Sequence, residues 1–294
     1  MQKRLKSFLL ASVFFLTLLV GCSYRPTHSV YHSFYRHLEL ASPQDAQFQE
    51  DDYFLVILVE ARHLDYSCSR SLFKSLAKHP SDGSKNGDVG HAWIYLEGWM
   101  QGRRVVLEGG HSGELGVLQP RYIEGVFMGY EKGTANPISY LWNTQKDGFF
   151  QWGSGRHYPT FAAKVSITGQ QFKKILKFIE LYDYSSYAIT GNQCCTFATQ
   201  IAAFAGLSLD CELTIPIQKF LRIGSHRISL WKDPLYSQIT ISSPDALEKS
   251  LIEAVHKGEA AYALDWYKRT HQKPGVSYRD LLLFPQRYWR FKTI

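Results

Sequence analysis

The stretch from Phe161 to Gly206 restricts the fold more than any other part of the chain. Phe161 to Ile167 reads as a strand, and Thr168 with Gln171 three residues later forms a capping-box pattern. Phe172, Ile175, Leu176, Ile179 and Tyr182 then recur at helical spacing, so a strand feeds an amphipathic helix. After a Tyr/Ser-rich connection, Asn192 is placed to cap a second, almost wholly apolar helix that runs to Ala205, with Gly206 where a helix-ending glycine belongs. Two adjacent cysteines, Cys194 and Cys195, open that helix.

The remaining patterns fit around this unit. Tyr53 to Val59 is a short branched apolar run of the buried-strand kind, and Ala92 to Glu97 with Arg104 to Glu108 reads as a hairpin closed near Gln101-Gly102. A short helix is expected over Ser71 to Ala77, a turn-rich loop over Pro80 to Gly90, a helix from Asp245 to His256 capped by Ser243-Pro244, and another over Glu259 to Thr270. The expectation is an α+β fold, a small antiparallel sheet packed on the Cys-bearing helix. Apolar residues at 45% and charged residues at 20% exclude wholesale disorder, collagen and coiled coil. A formal charge of +7 comes from scattered residues, without a Lys/Arg tract, so no nucleic-acid partner is expected.

The chain begins with Lys3, Arg4 and Lys6 ahead of an apolar run from Phe8 to Val20, the arrangement of an export signal. It ends in Leu19-Val20-Gly21-Cys22, which resembles the bacterial lipobox. That resemblance implies cleavage before Cys22, acylation of Cys22, and a lipid bilayer as partner. Losing the three basic residues of the leader takes the charge from +7 to +4. Ser23 after the modified cysteine implies placement in the cell envelope at the outer membrane. Residues 22–52, with Pro26 and Pro43, read as a tether. Among the other cysteines, Cys68 and Cys211 form the one conceivable bridge.

Chemistry is concentrated in two segments. In Gly191-Asn192-Gln193-Cys194-Cys195-Thr196-Phe197 the helix start favours thiolate over thiol. In Gly87-Asp88-Val89-Gly90-His91-Ala92-Trp93-Ile94-Tyr95-Leu96 an imidazole stands at the mouth of a strand, and a cysteine nucleophile needs such a base. A serine-hydrolase elbow at His111-Ser112-Gly113 lacks its second glycine, because Glu114 occupies that place. No tight Cys/His ligand pair supports a metal, and no cofactor is expected.

Together, Gly-Asp-x-Gly-His91-x-x-Ile-Tyr-Leu and, about a hundred residues on, Tyr187…Asn192-x-Cys194-x-x-Phe197 resemble the circularly permuted papain-like cysteine hydrolases, relatives of the NlpC-type peptidases and of lecithin-retinol acyltransferase. The resemblance covers roughly Tyr53 to Leu209. It implies a papain-like domain over 53–211, while the lipobox and the helical patterns give a leader over 1–21, a lipidated tether over 22–52 and a mainly helical extension over 212–294. The family resemblance also implies Cys194 as nucleophile and His91 as base, with Cys195 as alternate because Gln193 separates Asn192 from Cys194. With a two-residue turn at Gln101-Gly102, Tyr95 pairs with Glu108 and His91 with Ser112, which puts Glu108 on the face of His91. Glu108 is therefore the expected third polar residue, through a bulge at Gly109-Gly110, and a one-residue change in the turn would promote His111. Tyr187 could assist an oxyanion. Substrates of that class include cell-wall peptides or amides and lipid esters; a non-catalytic envelope lipoprotein of the same shape is the alternative.

Overall fold

The computed structural model describes residues 52–76, 89–113, 118–155, 157–223 and 225–271. The leader, Cys22, the tether, most of the Pro80–Gly90 loop and the aromatic tail after His271 lie outside them.

The fold is mixed α+β around a six-stranded antiparallel sheet. Its strands are β1 (Phe54–Glu60), β2 (His91–Met100), β3 (Arg103–Gly113), β4 (Gly148–Trp152), β5 (Phe161–Ser166) and β10 (Ala261–Tyr262), in the order β10-β5-β1-β2-β3-β4. Every residue of β1 is buried, because the strand is central and both faces of the sheet are covered; its unalternating Phe-Leu-Val-Ile-Leu-Val run follows from that. At the hairpin tip Gln101 and Gly102 both take positive φ, +52° and +73°, as a two-residue primed turn requires. The register is the expected one, with Tyr95 opposite Glu108.

One face carries Leu55, Ile57, Val59, Ile94 and Leu96 against the helices α3 (Gly169–Leu181), α4 (Cys194–Phe204) and α5 (Pro244–His256). The Thr168/Gln171 capping box forms as read, and Phe172, Ile175 and Ile179 point into this core. Helix α4 ends in a Schellman arrangement: Leu207 N–H donates to Ala202 O and Gly206 N–H to Ala203 O, with Gly206 at φ +84°. The other face carries Phe54, Val56, Leu58, Trp93 and Tyr95 against α6 (Leu264–His271).

The C-terminal region departs from expectation. Instead of being mainly helical it opens with β6 (Glu212–Pro216), β7 (Phe220–Ile223), β8 (His226–Ser229) and β9 (Gln238–Ser242), paired as β6-β9 and β7-β8. Ile215, Ile217, Ile228, Leu230 and Ile239 bury a small separate core with Ile138. The helix expected over Glu259 to Thr270 is shorter: Gly258 at φ +74° ends α5, Ala261-Tyr262 joins the main sheet as β10, and only then does α6 start. Two further helices complete the order, α1 (Ser69–Leu76) and α2 (Leu118–Glu131), with a 3₁₀ turn at Pro137–Trp142.

Candidate active site

The β2–β3 ladder stops at the pair Ile94 and Gly109, although β2 continues back to His91 and β3 forward to Gly113, where it pairs with β4 instead. The two strands part there. Into this opening α4 brings its first residue, Cys194, next to the backbone N–H of Ala92 and the imidazole of His91. The two segments that share no sequence neighbourhood do meet.

Local bonding fixes the start of α4. The cap is Gln193, one residue later than the expected Asn192. Its N–H donates to Thr196 Oγ1 (2.7 Å), its side-chain amide donates to Ser242 O (2.7 Å), and its Oε1 faces the Cys194 thiol at 3.5 Å. Cys194 is thus in the first turn, where the helix end favours negative charge. Cys195 is directed into the core, with its sulfur 3.9 Å from that of Cys194. The two thiols are driven in opposite directions. A hydrogen bond from Cys195, outweighing desolvation, holds the Cys194 thiol well below the ordinary range, with help from His91 and the Ala92 N–H. Burial and the neighbouring Cys194 push Cys195 well above it. Of the pair, Cys194 is the thiol favoured toward thiolate and Cys195 the donor that supports it. Cys68, Cys194, Cys195 and Cys211 are all free thiols, so the conceivable Cys68–Cys211 bridge is not formed.

His91 and His111 are both buried, but their nitrogens are used differently. His111 Nε2 donates to Tyr184 O (3.0 Å), which fixes the tautomer, so Nδ1 accepts from the Tyr182 hydroxyl (3.2 Å). Burial lowers its pKa, and the neutral ring is locked in place. His91 Nε2, by contrast, is buried without a hydrogen-bond partner. Of the two imidazoles, it is His91 that bonds the Cys194 sulfur.

Tyr187 lies where an oxyanion donor is useful. Its backbone pairs with Gln145, its ring covers Gly113, and its hydroxyl interacts with the Cys194 sulfur. A Cβ at Gly113 would come within 3.0 Å of that ring, so glycine permits the approach. Burial, then the nearby thiols, raise the Tyr187 pKa well above its ordinary value and keep the hydroxyl a donor.

Glu108 does not take the expected third position. It has the expected parity, on the face of Trp93 and Tyr95, but its carboxylate accepts from Trp93 Nε1 (3.2 Å) and the Tyr267 hydroxyl and pairs with His271 Nε2 (3.3 Å). Helix α6, returning from the end of the chain, takes the carboxylate. Burial raises its pKa, and the bonds from His271, Tyr267 and Trp93 outweigh that and leave it lowered. A depressed carboxyl stabilises the fold above its unfolded pKa and loses that contribution as pH falls through its folded value. Glu108→Leu should therefore cost about 1–3 kcal/mol at neutral pH by leaving buried donors unmatched, with faster amide exchange over α6 as the readout. Full protection of α6 in the variant would contradict the assignment.

Sequence reading missed the side chains beside His91. Glu60, the last residue of β1, is paired across the ladder with His91 and is buried. It bonds His157 Nδ1 and pairs with Arg62 Nη1 at 3.3 Å. The His157 ring lies 4.6 Å from that of His91. An available signal was a lone carboxylate closing an otherwise apolar strand. Among the described residues, no group of three or more His, Cys, Asp or Glu side chains is placed to hold a metal ion.

Comparison with protein-family models, with curated proteins and with solved structures found no match.

Proposed function

We propose that this protein is a lipid-anchored envelope enzyme in which Cys194 and His91 cleave or transfer an acyl group by a papain-like thiol mechanism, with peptide or amide bonds of the cell wall as the favoured substrates. The observation that carries the reading is the His91 imidazole in hydrogen-bond contact with a thiol held below its ordinary pKa at a helix start. His91 accepts the Cys194 proton, and the thiolate attacks the substrate carbonyl. The oxyanion that forms faces the α4 amides and the Tyr187 hydroxyl. His91 then returns the proton to the leaving amine or alcohol, which departs as the thioester forms. Water, deprotonated by His91, attacks the thioester and releases Cys194.

The envelope address rests on the basic n-region, the apolar run and Cys22. Mass spectrometry of the mature chain tests it directly: acylation at Cys22 with loss of residues 1–21 is the expected result.

Catalysis is tested by site-resolved alkylation of the full chain with iodoacetamide. Cys194 should react selectively at neutral pH, and His91→Ala should slow it about tenfold or more by removing the base that holds the thiolate. Labelling indifferent to His91 would favour the non-catalytic lipoprotein. That second reading draws on one observation: Cys194 and His91 are only 3% and 4% exposed, so both reactive groups are closed off. Parallel assays on cell-wall fragments and lipid esters separate amidase from lipid acyl transfer.

A further inference from the structure

If Cys194 and His91 act as proposed, something must hold the imidazole at its angle to the sulfur, and Glu108 is bound elsewhere. We infer that a ring clamp holds it: the His91 imidazole is flanked by the rings of Trp93 and His157.

Four observations combine. The His91 and Trp93 rings are nearly parallel, 13° apart at 5.8 Å between centroids, and the His157 ring lies at 4.6 Å and 30°. Packing of this kind fixes the ring torsion without using a ring nitrogen, so the imidazole stays in contact with Cys194 while its Nε2 has no hydrogen-bond partner. His157 comes from the loop between β4 and β5, and its bond to Glu60 fixes that loop residue to β1. Glu60 itself is a costly buried charge, with 5% of its side chain exposed, offset by Arg62 and His157. Gly90 permits the approach of His91 to β1. At φ +92° it is in the left-handed region, and a Cβ there would stand 2.1 Å from Glu60 O. The backbone entering β2 and the ring contacts thus act on the same torsions.

His157 is accordingly a positioning residue, and its ring is what matters. The test is the alkylation rate of Cys194 in the full chain, with iodoacetamide at fixed neutral pH, for His157→Ala and His157→Phe. His157→Ala should slow labelling about tenfold, the scale of a modest misplacement of the base. His157→Phe, which restores a flat ring but cannot bond Glu60 or carry a proton, should stay within about threefold of the parent rate. A role confined to stability gives no such split. His157→Ala labelling at the parent rate overturns the clamp, as does His157→Phe labelling as slowly as Ala, which would assign the effect to the second imidazole's nitrogens. If the parent Cys194 is itself indifferent to His91→Ala, the catalytic reading fails and the clamp with it.

Discussion

Under the proposed mechanism Cys194→Ala should lower turnover of an ester or amide substrate by about 10³-fold or more, because it removes the sulfur that would form the thioester. Cys195→Ala leaves that sulfur in place. It removes the hydrogen bond that contributes most to lowering the Cys194 pKa, so the thiol titrates at higher pH and a smaller fraction is thiolate at neutrality. The sign follows from the donor: the Cys195 S–H stabilises the charged sulfur beside it, and its loss favours the protonated form. Cys195→Ala should therefore slow reaction at pH 7 and recover toward the parent rate as pH rises, with the labelling midpoint displaced upward. Pairing the two variants separates nucleophile from donor. The opposite pattern, with Cys195→Ala dead and Cys194→Ala merely shifted, would exchange their roles and revive the alternate that Gln193 leaves open in the sequence.

The legible part of this fold was the part governed by short-range rules. The Thr168/Gln171 capping box, the Gly206 helix end, the Gln101-Gly102 turn and the pairing of Tyr95 with Glu108 are each decided within a few residues. Cap placement at Asn192 erred by one because Gln193 has its own fixed bonds, to Thr196 Oγ1 three residues on and to Ser242 O, and the second partner is not visible locally. Residues 118–152 gave no readable element for a related reason. Helix α2 is interrupted in sequence by Pro120, Gly125 and Gly129, and Gly125 is there because the Tyr140 ring lies 2.1 Å from where its Cβ would stand.

Parity put Glu108 on the face of His91, where it lies with Trp93, and what parity cannot report is that α6 comes back from the chain's end to take that carboxylate. The two residues assigned to His91 instead, His157 and Glu60, are 97 residues apart and belong to no motif. That the segments of Cys194 and His91 meet was legible as an expectation because helix starts and strand mouths are places where reactive groups can be held. Their companions were not, since they are set by which loop crosses the sheet.

The largest loss of stability is expected at Asp245, and it should reach the site as well. After Glu60 the chain leaves the sheet, and the backbone N–H groups of Arg62, His63 and Leu64 point to the first turn of α5, where Asp245 Oδ1 accepts the first two (2.7 and 2.9 Å) and Oδ2 the third (2.7 Å). His63 is held at φ +52°, a conformation uncommon for a side chain of that size, and its ring is tied to Glu248 at 2.6 Å. Desolvation raises the Asp245 pKa despite those donors, so its titration favours the folded state at low pH, opposite in sign to Glu108. Removing the acceptor strands three N–H groups at once. Asp245→Ala should therefore cost about 3–5 kcal/mol, read as a drop in denaturant midpoint at unchanged slope. Asp245→Asn preserves volume but keeps only one carbonyl-type oxygen, and should recover part of that loss. Because the freed segment begins two residues after Glu60, Asp245→Ala should also loosen His157 and slow Cys194 alkylation while the protein is still folded. A change under about 1 kcal/mol would mean that water replaces the carboxylate at these three amides, and that the link from α5 to the site is absent.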